Sequence, residues 1–187
     1  PVLGDFIELA LNTGCRRSEL LNLKWIHVDL STRLLHLEQT KSGEWQTVPI
    51  NEDARQVLVR RMRLRDAVCP ESPWVFFHLT SAFNAEVGDR VKSVRKAFST
   101  ACKRAGIGDF HIHDLRHTFA SWLVMNGVAL FEVSKLLRHS SIQMTERYAH
   151  LAPDHLHHAV SNLGFSAQFQ HTKNLESVVV CQNGLNT

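Results

Sequence analysis

Between Arg33 and Ile50 the hydrophobic pattern of the chain changes period. In "RLLHLEQTKSGEWQTVPI", Leu35 and Leu37 alternate with polar neighbours, "SG" at 42 and 43 supplies a turn, and "WQTVPI" returns. A two-residue period belongs to a strand with one buried face, so the stretch reads as a β-hairpin with Lys41 at its turn. On either side the apolar residues recur every three or four positions, which is the pattern of amphipathic helices. The expected fold class is therefore α+β and mainly α: helices around a small three-stranded antiparallel sheet. The short apolar run "WVFF" at 74 to 77 is expected to supply the third strand.

The helices can be placed from their ends. Residues 2 to 12 put Leu3, Phe6, Ile7, Ala10 and Leu11 on one face, and "TG" at 13 and 14 stops them, with Gly14 free to take a left-handed cap. "RSELLNLKW" reads as a second helix from about Ser18. Asn51 caps a long helix in which Ala54, Val57, Leu58, Met62 and Arg65 share a face, while Arg55, Arg60, Arg61 and Arg63 lie mostly elsewhere. A basic helix is expected over 89–105, another from 114 to Asn126 with Gly127 beyond it, and a further one over 130–137. Ser140 with Gln143 makes a capping box for a helix that carries Tyr148. Pro153 suits the first turn of a last helix, "PDHLHHAVSNL". From 164 to 187 periodicity is lost, and the tail is expected to be disordered or docked on something else.

Composition narrows the setting. Hydrophobic residues make up 44% of the 187 positions and charged ones 21%, ordinary for a globular protein. Cys15, Cys69, Cys102 and Cys181 form no CxxC pair, as expected of reduced thiols in a cytoplasmic protein. No run is long enough to span a bilayer. A net charge of +3 is compatible with a nucleic-acid partner without requiring one. The chain starts at Pro1 without a methionine and is expected to be part of something longer.

Five places carry chemistry. "TGCRRSEL" sets Arg16 at a helix entry, and "QTKSGEW" sets Lys41 at a hairpin tip. "HIHDLRHTFASWL" sets His113 and Arg116 one helical turn apart. "LLRHSSI" sets His139 before a helix N-terminus, and "TERY" supplies Tyr148, the only tyrosine in the chain. Two arginines, a lysine and a helix N-terminus together suit a phosphate. A phenol titrates near 10, so as a nucleophile it needs a base, for which His113 is a candidate, or a strongly electropositive site. No paired-carboxylate Mg²⁺ motif is evident, and the arginines would neutralise the phosphoryl oxygens instead.

In order and spacing these segments resemble the catalytic domain of the tyrosine recombinases, the phage integrase family. The resemblance covers roughly residues 1 to 160, with the domain taken as 1–163 and the tail as 164–187. It implies that Arg16, Lys41, His113, Arg116, His139 and Tyr148 form the catalytic set; beside them Glu19 and His117 read as structural support, His117 through hydrogen bonding, and Asp114 as stabilising a helix start. It implies cleavage and rejoining of double-stranded DNA through a 3′-phosphotyrosine, with no cofactor, metal or ATP. It also implies a tetramer on DNA (monomer or dimer for this chain alone), a cytoplasmic, nucleoid-associated protein of bacterial or phage origin, and a C-terminal tail that packs in trans. Tyr148, which must reach DNA, is expected on a polar, movable helix and not in the core.

The chain departs from the family's pattern in three ways. Arg138 stands where the third motif usually has glycine, and is expected to be tolerated, to shift His139 or to add a phosphate contact. Gln46 replaces a frequent hairpin arginine. The N-terminal helical domain that completes the family's clamp on DNA is not in this chain, so weak, unselective DNA binding is expected of it. Two other readings are a non-catalytic DNA-binding relic of the same fold and a type IB topoisomerase-like relaxing enzyme. A zinc reading of His111, His113 and His117, or of "HLHH" at 155 to 158, lacks the HExxH glutamate and a cysteine pair.

Overall fold

The computed structural model describes residues 2–38, 45–81, 84–153 and 160–161. The chain divides into two units, Pro1–Ala152 and Pro153–Thr187. The Lys41 hairpin tip and the "HLHH" stretch lie outside the described residues. So do the C-terminal tail and, apart from Pro153, Val160 and Ser161, the expected last helix.

Helix α1 (Val2–Thr13) buries Phe6, Leu9 and Ala10 and ends where expected, at Gly14 with φ +60°. Helix α2 (Arg17–Leu21) follows at once, one residue earlier than expected, with Arg16 as its N-cap. A 3₁₀ turn over Trp25–His27 leads into a three-stranded antiparallel sheet of β1 (Val28–Asp29), β2 (Leu34–Glu38) and β3 (Trp45–Pro49), in the order β1-β2-β3. Leu35 pairs with Val28 on one side and Val48 on the other. Leu35, Leu37 and Val48 form the buried face that the two-residue period predicts.

The third strand is not the expected one. Asp29 Oδ1 accepts from the amides of Ser31 and Thr32 at 2.8 and 3.0 Å, which folds the chain back so that Val28 and Asp29 take the free edge of β2. "WVFF" instead bridges to Lys24 and Arg90 through Trp74 and Phe77. Val75, Phe76 and Phe77 are all fully buried, so this run is a core wedge with no solvent face to alternate with.

Helix α3 (Glu52–Val68) is capped by Asn51, whose side chain accepts from Ala54 N at 2.9 Å. Its buried face is Ala54, Val57, Leu58 and Arg61, whereas Met62 and Arg65 are only half-buried, a correction by one position. Arg61 donates from Nε to Val75 O at 3.0 Å and lies over the rings of Phe76 and Phe77 at 5.3 and 5.1 Å. Helix α4 (Arg95–Arg104) starts six residues later than expected because 88–91 is tied elsewhere: His78 N donates to Asp89 O and Val91 N to Phe76 O.

Helices α5 (Asp114–Met125) and α6 (Leu130–Leu137) lie where their periodicity puts them. Helix α7 (Gln143–Glu146) is shorter than expected and stops before Tyr148, which opens a 3₁₀ turn over Ala149–Leu151. Ser140 does not cap it; Ile142 is the N-cap and makes no side-chain cap, and Ser140 Oγ faces Met144 Sδ at 3.5 Å. The main core gathers α1, the sheet, α3 and the 75–76 wedge around Phe6, Leu9, Leu35, Leu58 and Phe76. A second cluster joins α5 and α6 through Ala120, Val124, Val133 and Leu137, with Tyr148 in it. No described helix is long and apolar enough to cross a membrane.

Candidate active site

The turn between α1 and α2 sets the first arginine. As N-cap of α2, Arg16 leaves its own amide outside the helix, and Glu19 satisfies it: Oε2 accepts from Arg16 N at 2.7 Å. The same carboxylate receives Arg16 Nη1 on Oε1 at 2.8 Å, so one side chain fixes both the backbone and the guanidinium of Arg16, which stays 41% exposed. This is the support expected of Glu19. Burial works to raise the Glu19 carboxyl, but Arg138 and Arg16 together outweigh it and hold the group below its ordinary value.

Arg138 does not stand as a phosphate ligand. It closes α6 in the left-handed conformation, φ +56°, which is what a glycine at this position would provide. Its side chain turns inward, only 4% exposed, and donates to Glu19 Oε2 at 2.6 Å and to Leu136 O at 2.9 Å. The departure from the family's glycine is thus absorbed by an ion pair under the first motif.

Arg116, the fourth residue counted from His113, is buried. Its Nη1 donates to Gly14 O at 2.7 Å and its Nη2 to Leu137 O. One guanidinium therefore ties the carbonyl after α1 to the last carbonyl of α6. Burial, then Arg16 and Arg138, pull its pKa down to about 10. Gly14 lets the turn pack against α5, because a Cβ there would lie 2.4 Å from Phe119 Cδ1.

The imidazoles crowd the same corner. His139 follows Arg138 and shares its Nδ1 with Thr145 Oγ1 at 2.8 Å. Burial, Arg116 and Arg16 lower its pKa to about 4, so it is neutral near pH 7. His113 is the N-cap of α5, and burial and Arg116 lower it as well. Its ring meets that of His117 edge to face, with centroids 4.8 Å apart. Among the described residues no group of three or more His, Cys, Asp or Glu could hold a metal ion.

Tyr148 departs most from expectation. It is 6% exposed and packs with Ala120, Val124, Val133 and Leu137, and its hydroxyl hydrogen-bonds Nδ1 of His117. The phenol sits at the polar rim of an apolar cluster because the chain after α6 turns back over α5. Burial raises its pKa, against the opposing pull of Arg147 and Arg116. His117 thus contacts the candidate nucleophile itself. The readable signal was its place one turn after His113. Arg147 is a residue that the motif left out: its charge acts on His113, His117, His139 and Tyr148.

Five of the six expected catalytic residues lie among the described residues. Arg116 links them, through carbonyls two residues from Arg16 and two from His139, while Arg16 and Arg116 act electrostatically on His113 and His139. Lys41 lies outside the described residues. A cleft of about 740 Å³ opens beside Arg16, lined among others by Lys24, His36, Gln46, Arg138 and Ser140.

Known proteins are similar to this chain in sequence and in fold. The sequence profile of the phage integrase family matches residues 4–155. The integrase of Salmonella phage P22 is 40% identical over 163 residues, which is 82% of this chain and 40% of that protein. The tyrosine recombinase XerD of Brucella suis is 34% identical over 164 residues, 85% of this chain and 51% of that one. The chain thus spans two fifths to about half the length of these curated relatives. The catalytic domain of bacteriophage HP1 integrase superposes with a TM-score of 0.63 at 31% identity, covering 89% of this chain and 84% of that domain. With its motifs in order, its buried arginine joining the first and third of them, and relatives of this kind, the chain belongs to the phage integrase family.

Proposed function

We propose that this chain is the DNA-cleaving part of a site-specific tyrosine recombinase, an integrase. What supports this best is the position of Arg116, whose guanidinium joins the Arg16 turn to the His139 turn beside the only tyrosine. Arg116 uses two N–H groups on carbonyls and keeps the others for a ligand. Arg16 and Arg116 hold the non-bridging oxygens of the scissile phosphate, supplying the charge that a divalent cation supplies in other phosphoryl transfers. His139, neutral, hydrogen-bonds the phosphate, Lys41 protonates the leaving 5′ oxygen, and His113 assists proton transfer.

Tyr148 attacks the phosphodiester, stays joined to the 3′ phosphate and releases a 5′ hydroxyl. That hydroxyl attacks the phosphotyrosine of a partner strand, so bond energy is conserved and no ATP is consumed. Strand exchange needs two duplexes and hence several copies of the protein, a tetramer on DNA, acting in the cytoplasm at the nucleoid. The test is to incubate the chain with supercoiled plasmid DNA, stop with denaturant and look for protein joined to DNA. An adduct is expected from the wild type, none from Tyr148→Phe, and DNA binding in Tyr148→Phe should stay within about twofold, since one hydroxyl is lost. An adduct that survives Tyr148→Phe overturns the proposal.

A further inference from the structure

We propose that His117 is the group that takes the proton from Tyr148 as the phenol attacks, a role that the motif order alone gives to His113. The inference rests on the recombinase reading and names the base of that same site. Its ground is contact. Nδ1 of His117 is hydrogen-bonded to the Tyr148 hydroxyl, with ring centroids 5.9 Å apart. No other side-chain partner of that hydroxyl occurs among the described residues. His113 reaches only the ring of His117, edge on. The Tyr148 ring is buried with Ala120, Val124, Val133 and Leu137, which leaves its hydroxyl facing His117.

The protonation states fit. A phenol that donates to Nδ1 leaves the ring proton of neutral His117 on Nε2. Burial, His113 and Arg147 hold His117 below its ordinary pKa, so near neutral pH its Nδ1 lone pair is free to accept. The charged and titratable groups acting on it are His113, Asp114 and Arg116 from α5 and Arg147 beside the phenol; His139, after α6, is within reach of its charge. Arg147 and Arg116 also favour the phenolate once the proton has gone.

The step balances. The Tyr148 O–H bond breaks and its proton passes to His117 Nδ1. The oxygen's electron pair forms the new bond to phosphorus, and the bond from phosphorus to the 5′ oxygen breaks with its pair going to that oxygen. The 5′ oxygen takes a proton from the Lys41 ammonium in the reading above. Rejoining runs in reverse, and imidazolium His117 returns its proton to Tyr148.

Because Tyr148 is the only tyrosine, its reactivity can be followed without DNA. Methanesulfonyl fluoride is the electrophile, and modification is located on Tyr148 by peptide mass mapping across pH. In the wild type the rate should rise through an inflection below about 6.5, as His117 loses its proton, and then level off. In His117→Phe the plateau should fall about 100-fold, the rate rising only as the phenol itself ionises. His117→Gln can hold the phenol's hydrogen bond but cannot take its proton, and should lose the same factor while staying folded. A wild-type rate that follows phenol ionisation alone overturns the assignment, and so does a Gln variant as fast as wild type. Nitrogen-15 NMR of the ring gives a second check: the neutral form should carry its proton on Nε2, and a proton on Nδ1 overturns the proposal. None of these readings involves DNA, so they fail or succeed apart from the covalent-adduct test.

Discussion

A methyl group on Gly14 would stand 2.4 Å from Cδ1 and 2.7 Å from Cε1 of Phe119, at a φ of +60°. The left-handed backbone costs a side chain about 1–2 kcal/mol, and displacing a packed ring adds a similar amount. Gly14→Ala should therefore lose about 2–4 kcal/mol, read as a lower urea midpoint at unchanged slope. Arg138 is the converse case, since it already occupies a left-handed site. Arg138→Gly regains about 1–2 kcal/mol of backbone strain but breaks a buried ion pair whose loss costs about 3–5 kcal/mol. Glu19 keeps Arg16 N and Nη1, so the net loss should be about 2 kcal/mol by urea unfolding, even though glycine is the family's usual residue. At this scale the sequence was legible for Arg16 and Arg116, whose motifs carry their own local geometry. It was not legible for Arg138 or Arg147, and for His117 it gave a supporting hydrogen bond without the partner. Their partners are Glu19, the clustered imidazoles and Tyr148, and contacts across a fold leave no mark on spacing.

Among the elements, α3 carries the least expected side chain. Arg61 is fully buried, and its Nη1 and Nη2 find no hydrogen-bond partner among the described residues, with Asp5 at 3.8 Å. Burial depresses its pKa accordingly. A buried cation this poorly paired adds little net stability, so Arg61→Met, which keeps the stem's packing, should stay within about 1 kcal/mol of wild type. Arg61→Ala should cost about 3 kcal/mol by opening a cavity under Phe76 and Phe77. Thermal and urea unfolding of the two variants separate packing from charge. Helical period located α1, α3, α5 and α6 well because each buries one continuous face. It missed the edge strand Val28–Asp29, whose two residues are too few to show a period, and it extended α4 over residues that bridge instead to Phe76 and His78. Tyr148, expected on a polar, movable helix because it must reach DNA, is instead buried. The burial comes from α5 and α6, which no local window contains.

For the molecule as a whole, acidity should be the sensitive variable. His113, His117 and His139 all sit below their ordinary pKa in the folded state, so the unfolded chain binds protons first as pH falls. Their stabilising contribution is complete above about 6.5 and is lost progressively towards about 4, where His139 titrates. Glu19, also depressed, adds a loss at still lower pH. Unfolding midpoints measured from pH 7 to 4 should fall in the wild type and fall less in His139→Asn, which cannot charge. DNA binding by this chain should drop steeply with salt, log K falling by about 0.9 per log unit of salt for each phosphate neutralised; a titration by fluorescence anisotropy at several salt concentrations measures that slope. The guanidinium of Arg116, held by Gly14 O and Leu137 O, has one more consequence. A lineage that drifts out of use cannot discard this arginine and keep a sound scaffold, because its guanidinium fastens two helices. Copies that lose this arginine should lose the fold, whereas copies inactivated at Tyr148 need not, so inactive but well-folded copies should still carry Arg116.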